Sequence, residues 1–309
     1  MAQSSDITVV IPLYNKAPEI ARALGSVLAQ TLVPKEIIVV DDGSTDGSGD
    51  VVESMAAPSV RVIRQANRGV SVARNVGIEA ATTKWVALLD GDDVWCADFL
   101  ATIADLIERY PGCGAYGTAF FVEQGQERVA ADNPSEEGVV DYFAEAMQHY
   151  VLLPSATVVN RDLVLSLGGF PEGMRLGEDQ YMWTLIARSA DVAFSPKRMA
   201  IYSRVASNRS AVIYCPEQTQ YSFEKLYDAS SSDMSNEYIA RVALGKALTE
   251  SVKGGTQAAA RAVKFFSYTR LSRRAWWKVR VLNSLPPFMR PALLSAYNWL
   301  AWRIARKGL

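Results

Sequence analysis

Three acidic groups stand where a charged ligand could be held: Asp41-Asp42, Asp90-Gly91-Asp92-Asp93 and Glu178-Asp179. Two carboxylates flanking a glycine, as in Asp90-Gly91-Asp92, suit a divalent cation such as Mg²⁺ or Mn²⁺. These ions prefer oxygen ligands and often take only one or two carboxylates, with phosphate and water completing the shell. A cation held in this way neutralises the charge that grows on a departing phosphate group. Taken alone, the triplet is also what an ordinary solvated acidic turn looks like. Its position directly after the apolar run Trp85 to Leu89 is what distinguishes it. Asp41-Asp42 likewise follows the run Glu36 to Val40; an aspartate there also caps a turn or the next helix, a local role that suits Asp41 more than Asp42. Glu178-Asp179 opens a helical stretch, where the helix dipole favours acidic residues in any case.

The elements that must position these groups alternate along the first 120 residues. Strands are predicted at Ile7 to Leu13, Glu36 to Val40, Val60 to Arg64, Trp85 to Leu89 and Ala115 to Glu123. Helices are predicted between them at Pro18 to Gln30, with Ile20, Ala23, Leu24, Val27 and Leu28 on one face, and at Ser48 to Ala56, Val70 to Ala81 and Asp98 to Tyr110. Such alternation implies an α/β fold with a largely parallel, doubly covered sheet. Ligands bind beyond the carboxyl ends of the strands in sheets of this kind, which brings residues 41–42 and 90–93 to one rim. Further on, the pattern predicts a helix at Tyr142 to Val151, a strand at Ser155 to Asn160, a turn at Leu167-Gly168-Gly169-Phe170 and a helix at Glu178 to Arg188. Helical segments follow at Tyr221 to Tyr227, Asn236 to Lys253 and Gln257 to Tyr268.

With 49% hydrophobic and 21% charged residues, the 309-residue chain can bury a sizeable core. Cys96, Cys113 and Cys215 are odd in number and form no CxxC pair; they read as small buried hydrophobes in a reducing compartment. No signal peptide is visible, and no uninterrupted apolar run reaches the ~20 residues of a spanning helix. The net charge of −1 conceals a division: from Ser251 to Leu309 there are twelve Lys or Arg and no Asp or Glu. That asymmetry points to two parts with different partners.

The run Val9-Val10-Ile11-Pro12-Leu13-Tyr14-Asn15, followed by Glu36-Ile37-Ile38-Val39-Val40-Asp41-Asp42-Gly43-Ser44-Thr45-Asp46, resembles the opening of family 2 glycosyltransferases. So do Asn67-Arg68-Gly69-Val70-Ser71-Val72-Ala73-Arg74-Asn75-Val76-Gly77 and Leu88-Leu89-Asp90-Gly91-Asp92-Asp93-Val94-Trp95, then Gly168-Gly169-Phe170 and Gly177-Glu178-Asp179. The resemblance, over residues 6 to 210, implies a GT-A fold: a Rossmann-like, mainly parallel sheet covered by helices. It implies inverting transfer of a sugar from a nucleotide diphosphate sugar, with UDP the expected nucleotide and Mn²⁺ or Mg²⁺ the cofactor. By position, the Pro12 carbonyl and the Asp42 side chain would hold the base, Tyr14 would stack on it, and Arg74 would contact it. Asp90 would touch ribose and donor sugar, Asp92 would ligate the metal, and Asp93 would stand behind the metal ligand without touching the ion, or cap a helix. Asp179 would be the catalytic base, with Glu178 orienting or binding the acceptor, while Trp183 is expected in the helix core. One departure stands out. Where many relatives carry a histidine in a Y-x-x-H pattern, this chain has Tyr202-Ser203-Arg204-Val205, and its one histidine, His149, is expected to be structural. Arg204 or Arg209 would then help neutralise the leaving diphosphate.

The domain expectation is a catalytic domain over 1–215 and a helical region over 216–309 with a basic, aromatic tail from about 255. In that tail Phe265, Phe266, Arg270, Arg273, Arg274, Trp276, Trp277, Lys278 and Arg280 interleave, and Leu293 to Arg306, with Trp299 and Trp302, reads as a further helix. Trp beside Lys or Arg on an amphipathic helix is the pattern of segments lying in a membrane interface. The expected setting is the cytoplasm, at an anionic inner membrane leaflet, acting on a saccharide or polyprenyl-linked acceptor in envelope or exopolysaccharide synthesis. Packing of the tail on the acidic domain is the competing reading; no nucleic-acid motif is present. Two other functions compete: a non-catalytic nucleotide-sugar-binding scaffold, and a sugar nucleotidyltransferase. Pro12-Leu13-Tyr14-Asn15 lacks the glycine- and arginine-rich phosphate loop of the latter, and no GxGxxG follows the first strand as a dinucleotide-dependent oxidoreductase would require.

Overall fold

The computed structural model describes residues 5–55, 57–205, 219–231, 233–253 and 255–294. Arg209, Cys215, Trp299 and Trp302 lie outside the described residues. The chain divides into two compact units, residues 5–205 with 219–220, and residues 221–294.

The first unit runs β1 (Ile7–Leu13), α1 (Ile20–Leu28), β2 (Glu36–Asp41), α2 (Ser48–Ser54), β3 (Val60–Arg64), α3 (Val70–Ala80), β4 (Trp85–Leu88) and β5 (Val94–Trp95). It continues with α4 (Phe99–Arg109), β6 (Ala115–Gln124), β7 (Glu127–Ala130), β8 (Gly138–Val140), α5 (Tyr142–Ala146), β9 (Thr157–Asn160), α6 (Arg161–Ser166), α7 (Glu178–Ser189) and β10 (Val192–Ser203). One sheet has the order β3-β2-β1-β4-β9-β6-β10-β5, with β7 on β6 and β8 on β10. Strands β1 to β4 pair in parallel, β9 is inserted antiparallel between β4 and β6, and β10 is parallel to β6. Six strands therefore share one direction, and the short β5, β7 and β8 run against their partners. This is the α/β architecture expected of a GT-A domain.

Apolar, β-branched runs make the strands: every residue of β1 is buried, and β2 is buried from Ile37 to Asp41. Helix α1 buries Ile20, Ala23, Leu24 and Val27. Leu28, expected on the same face, is 40% exposed, because it lies about 100° further round the helix than Val27. Helix α3 approaches β1 so closely that a Cβ on Gly77 would collide with the Val10 side chain. That approach fixes where the rest of α3, including Arg74, meets the sheet.

Several elements differ from expectation. Helix α5 ends at Ala146 instead of running to Val151, because Tyr150 N donates to Asp132 O and Asn133 Nδ2 donates to Tyr150 O, drawing the chain aside. Residues Pro154–Ala156 form a 3₁₀ turn, so β9 starts at Thr157. The twelve-residue strand β10 has no counterpart in the sequence reading. Its apolar pattern is broken at Pro196-Lys197-Arg198, where the register with β6 shifts. Cys113 is buried as expected, whereas Cys96 is half-buried.

In the second unit, α8 (Asp233–Lys253), α9 (Thr256–Phe265) and α10 (Arg273–Ser284) pack on one another, burying Leu244, Ala247, Ala259, Trp276 and Val279. The expected helix Tyr221 to Tyr227 is only a 3₁₀ turn, Phe223–Leu226, after which Asn236 Nδ2 holds the Asp228 carbonyl and turns the chain away. Glu237 ties α8 to the approach to α10 by accepting from Thr269 Oγ1, Arg270 N and Leu271 N. Among the described residues, no helix is long and apolar enough to cross a membrane.

Candidate active site

The carboxyl ends of β1, β2 and β4 form one rim. Asp42 N donates to Leu13 O (2.8 Å) and Leu89 N to Val10 O (3.1 Å), so the three strands deliver their loops side by side. Gly91 sits against the Pro12 carbonyl, where a Cβ would lie 3.4 Å from that oxygen. Tyr14, 39% exposed, stands at the same rim. The turn after β1 is joined to the turn after β2: Asn15 N donates to Ser44 Oγ, Lys16 N to Ser48 Oγ and Ala17 N to Asp46 Oδ2.

Asp41 plays the local role expected of it, accepting from Ser44 N at 2.9 Å. Asp42 does not cap the next helix. It is buried and reaches forward to the loop before α3, taking Gln65 Nε2 (2.7 Å) and Arg68 N (2.9 Å) on Oδ1 and Gly69 N (2.8 Å) on Oδ2. Those bonds fill three of the roughly four acceptor positions of a carboxylate. In this structure Asp42 shapes the wall around residues 65–69.

The Asp90-Gly91-Asp92-Asp93 turn is fixed by a residue that sequence reading missed. Ser155 Oγ accepts from Asp90 N (3.1 Å) and donates to Asp93 Oδ2 (2.5 Å), while Ser203 N donates to Asp93 Oδ1 (2.8 Å). Asp93 is 1% exposed, and burial, then Asp92 and Asp90, push its carboxyl well above the usual range. It is the turn's internal support. Its bond to Ser203 also brings the end of β10 against the turn, so the Arg204-Val205 segment follows directly; Arg204 N donates to Glu123 O. Asp92 faces the other way and accepts an ion pair from Lys16 Nζ at 2.8 Å. Burial first, then Asp90, raises the Asp92 carboxyl, with Lys16 opposing.

Arg74 does not lie on a solvated helix face. Its side chain is 3% exposed and bridges two acidic groups, Asp90 Oδ1 at 2.8 Å and Glu178 Oε1 at 3.4 Å, with the Phe170 ring 5.3 Å from its guanidinium carbon. The Gly168-Gly169-Phe170 turn delivers that ring. Gly169, at φ +74°, packs against Asn75, whose side chain clamps Phe170 N (2.7 Å) and Phe170 O (2.9 Å). Trp183 is wholly buried and meets Phe170 edge-on, as a core residue should. Four separated sequence blocks thus close into one packed unit. Burial by itself would lower the Arg74 pKa; Asp90 and Glu178 outweigh it and hold the guanidinium charged.

Glu178-Asp179 begins α7, and Asp179 Oδ1 accepts from Gln180 N at 2.8 Å. Burial first, and then Asp179, push the Glu178 carboxyl up to about 7. Asp179 is raised as well, by burial and by Asp90, against the pull of Arg74. Arg74, Asp90, Glu178 and Asp179 thus share one electrostatic environment. His149 lies apart from this group, paired with Asp132 at 2.9 Å, as its structural reading anticipates.

Removing the shared cation has a calculable consequence. Arg74→Met is expected to lower stability at pH 8 by about 3 kcal/mol, the order seen when one partner of a buried ion pair is deleted. Protonated Glu178 is the form that burial favours, so its contribution to stability is present below its ordinary value of 4.5 and is lost as pH rises through about 7. The deficit of Arg74→Met should therefore shrink at pH 5, as urea unfolding at the two pH values will report.

Among the described residues, no group of three or more His, Cys, Asp or Glu is placed to hold a metal ion. The acidic turn nevertheless fits a cation that brings most of its ligands with it. Asp92 already receives a positive charge, that of Lys16, and Asp90 lies on the same turn. A site of this kind needs one or two carboxylates, with phosphate oxygens and water supplying the remainder.

The profile described as Glycosyl transferase family 2 matches residues 8–160. The succinoglycan biosynthesis protein ExoO of Rhizobium meliloti (strain 1021) is 44% identical over 111 residues, which cover 36% of this chain and 31% of that protein. The first curated relatives are matched over 28–34% of their own lengths. Among solved structures, S. aureus TarS 1-349 in complex with UDP-GlcNAc superposes with a TM-score of 0.61 at 20% identity, over 88% of this chain and 79% of that one. Mannosyltransferase PcManGT from Pyrobaculum calidifontis, in complex with GDP-Man and Mn²⁺, gives 0.56 at 20% identity over 96% and 80%. Both superpositions speak to the fold.

Proposed function

The chain belongs to glycosyl transferase family 2 through residues 8–160, and on that premise we propose that it transfers a sugar, with inversion, from a nucleotide diphosphate sugar, preferentially a UDP-sugar, to a saccharide or lipid-linked acceptor. The observation that carries this reading is the convergence of Asp90, Arg74 and Glu178 through ion pairs, beside the Asp92 carboxylate on the shared turn.

In this reading Pro12, Tyr14 and the wall built by Asp42 receive the nucleoside. Asp90, steadied by Arg74, meets the ribose and donor sugar. Asp92 would hold Mn²⁺ or Mg²⁺, which supplies charge neutralisation at the diphosphate when bound. Asp179 takes the proton from the acceptor hydroxyl as that oxygen bonds to the anomeric carbon. The bond from that carbon to the diphosphate oxygen breaks, and its electron pair leaves with the diphosphate. Glu178 orients the acceptor side; Val205 stands where relatives of the resembled pattern carry histidine, and Arg204, beside it beyond the Asp93-bound end of β10, helps neutralise the leaving diphosphate. Release of UDP or GDP should be measured over a panel of nucleotide sugars with acceptor, Mn²⁺ or Mg²⁺. Turnover of at least one donor, lost in EDTA, supports the proposal. Donor binding without transfer or hydrolysis in any combination would leave the scaffold reading in its place.

The likeness to ExoO, a succinoglycan biosynthesis protein, supports a role in envelope or exported polysaccharide assembly. The second unit supports work at the inner face of the cytoplasmic membrane. Trp277 (50% exposed), Val281 (53%) and Phe288 (82%) stand out from it together with the exposed Arg270, Arg273, Arg274 and Arg280. Not every tail cation is available. Arg290 is 4% exposed and donates to the carbonyls of Ser251, Asn283 and Leu285, and Trp276 is buried with Nε1 on Val263 O. With each near-surface cation contributing about 1 kcal/mol at an anionic leaflet, binding should require acidic lipid and fall with salt. Flotation with phosphatidylglycerol vesicles should recover the protein, phosphatidylcholine vesicles should not, and the double variant Trp277→Ser, Phe288→Ser should lose most of the bound fraction. Equal recovery with both lipids, or none with either, would remove the membrane part of the proposal.

A further inference from the structure

Lys16 has no part in the chemistry above, yet it makes the one ion pair that the structure shows for Asp92 among the described residues. Its Nζ lies 2.8 Å from Asp92 Oδ2, with the two side chains only 12% and 16% exposed. The root of that side chain is fixed. Lys16 N donates to Ser48 Oγ at 2.7 Å, and the neighbouring Asn15 N and Ala17 N are held by Ser44 and Asp46. The two carboxylates of the acidic turn thus carry different cations. Asp90 is gripped by a buried guanidinium whose second ion pair, to Glu178, holds it in place. Asp92 is met by an ammonium on a flexible four-carbon stem, so that this ion pair can break without disturbing the backbone bonds at its base. A positive charge already seated on a carboxylate competes with any other cation for the same oxygen.

Resting on the proposed metal role of Asp92, we infer that Lys16 is a displaceable internal cation. It neutralises Asp92 until a divalent ion arrives together with the donor diphosphate, and its ammonium then turns to a diphosphate oxygen. Metal alone is held weakly, because it must break the Lys16–Asp92 ion pair. Metal and nucleotide together are held tightly, because the displaced ammonium acquires a new anionic partner. Lys16 thereby couples metal entry to donor entry and keeps the acidic turn from capturing ions between turnovers.

The test is calorimetric titration of Mn²⁺ at pH 7.5, without nucleotide, into the wild-type chain, Lys16→Met and Lys16→Arg, followed by UDP at saturating Mn²⁺. Lys16→Met should bind Mn²⁺ alone about tenfold more tightly than wild type and then bind UDP about tenfold more weakly, whereas Lys16→Arg should stay close to wild type in the first titration. Thermal melting checks that the variants fold, which is expected because the loop is anchored by backbone donors. If Lys16→Met binds Mn²⁺ no better than wild type while wild type binds Mn²⁺ and UDP together, the inference is overturned and the proposed function stands. If no variant binds Mn²⁺ with or without UDP, the metal reading falls and the inference falls with it.

Discussion

Asp179→Asn is expected to lower kcat by about 10³, within the range that a positioned general base contributes. The substitution preserves shape and the bond from Gln180 N but abolishes the proton acceptor. Donor affinity should stay within about threefold, since a group acting on the acceptor proton contributes to the transition state and little to donor binding. The pH profile supplies a second readout. Burial raises both acidic groups at the start of α7, Glu178 to about 7, so activity should climb as the pair loses its last proton and the acid limb should lie near neutrality. Glu178→Gln takes one negative charge from the pair and should move that limb to lower pH. Were Asp179→Asn to retain more than a tenth of wild-type kcat, the base would have to be sought elsewhere.

Asp92→Asn should be comparably severe, with a different signature. A divalent ion at a departing diphosphate contributes several kcal/mol of charge stabilisation, so kcat should fall by about 10³. The variant should also lose most of its Mn²⁺-dependent gain in UDP affinity, which Asp179→Asn should keep. The introduced amide would still face the Lys16 ammonium through a neutral oxygen, so the turn itself should persist; Asp93, Ser155 and Ser203 hold it independently of Asp92. An Asp92→Asn protein that responds to Mn²⁺ as wild type does would place the ion elsewhere.

The contrast between what is legible in the sequence and what is not is one of distance along the chain. Buried strands declare themselves locally, as uninterrupted apolar runs such as Ile7–Leu13, and an aspartate at a strand end inherits the rim from the sheet. Strand β10 is hidden because Pro196, Lys197 and Arg198 interrupt its pattern, and the bulges that absorb them appear only once β6 is beside it. The partners of Arg74 lie 16 and 104 residues away, and those of Asp42 lie 23 to 27 away, so no local periodicity announces them. Resemblance puts both residues at the site, and the contacts they make are of another kind: Arg74 binds carboxylates, and Asp42 braces a loop. Ser155 carries no signal at all. It reads as the first residue of a strand, and only the fold sets its hydroxyl between Asp90 and Asp93. Lys16 follows the first strand as an ordinary lysine, and its charge acquires meaning only when β1 and β4 are brought side by side.

A nucleotide diphosphate and a divalent ion must meet at the acidic turn after β4 for this chemistry to run. Crystals of the wild-type chain grown with UDP and Mn²⁺, measured at the manganese absorption edge, locate the ion without prior assumption. One anomalous peak is expected within bonding distance of the Asp92 carboxylate and of diphosphate oxygens, with the uracil against Tyr14 and the Pro12 carbonyl. Manganese bound away from Asp92, or UDP bound away from the rim of β1, β2 and β4, would contradict it.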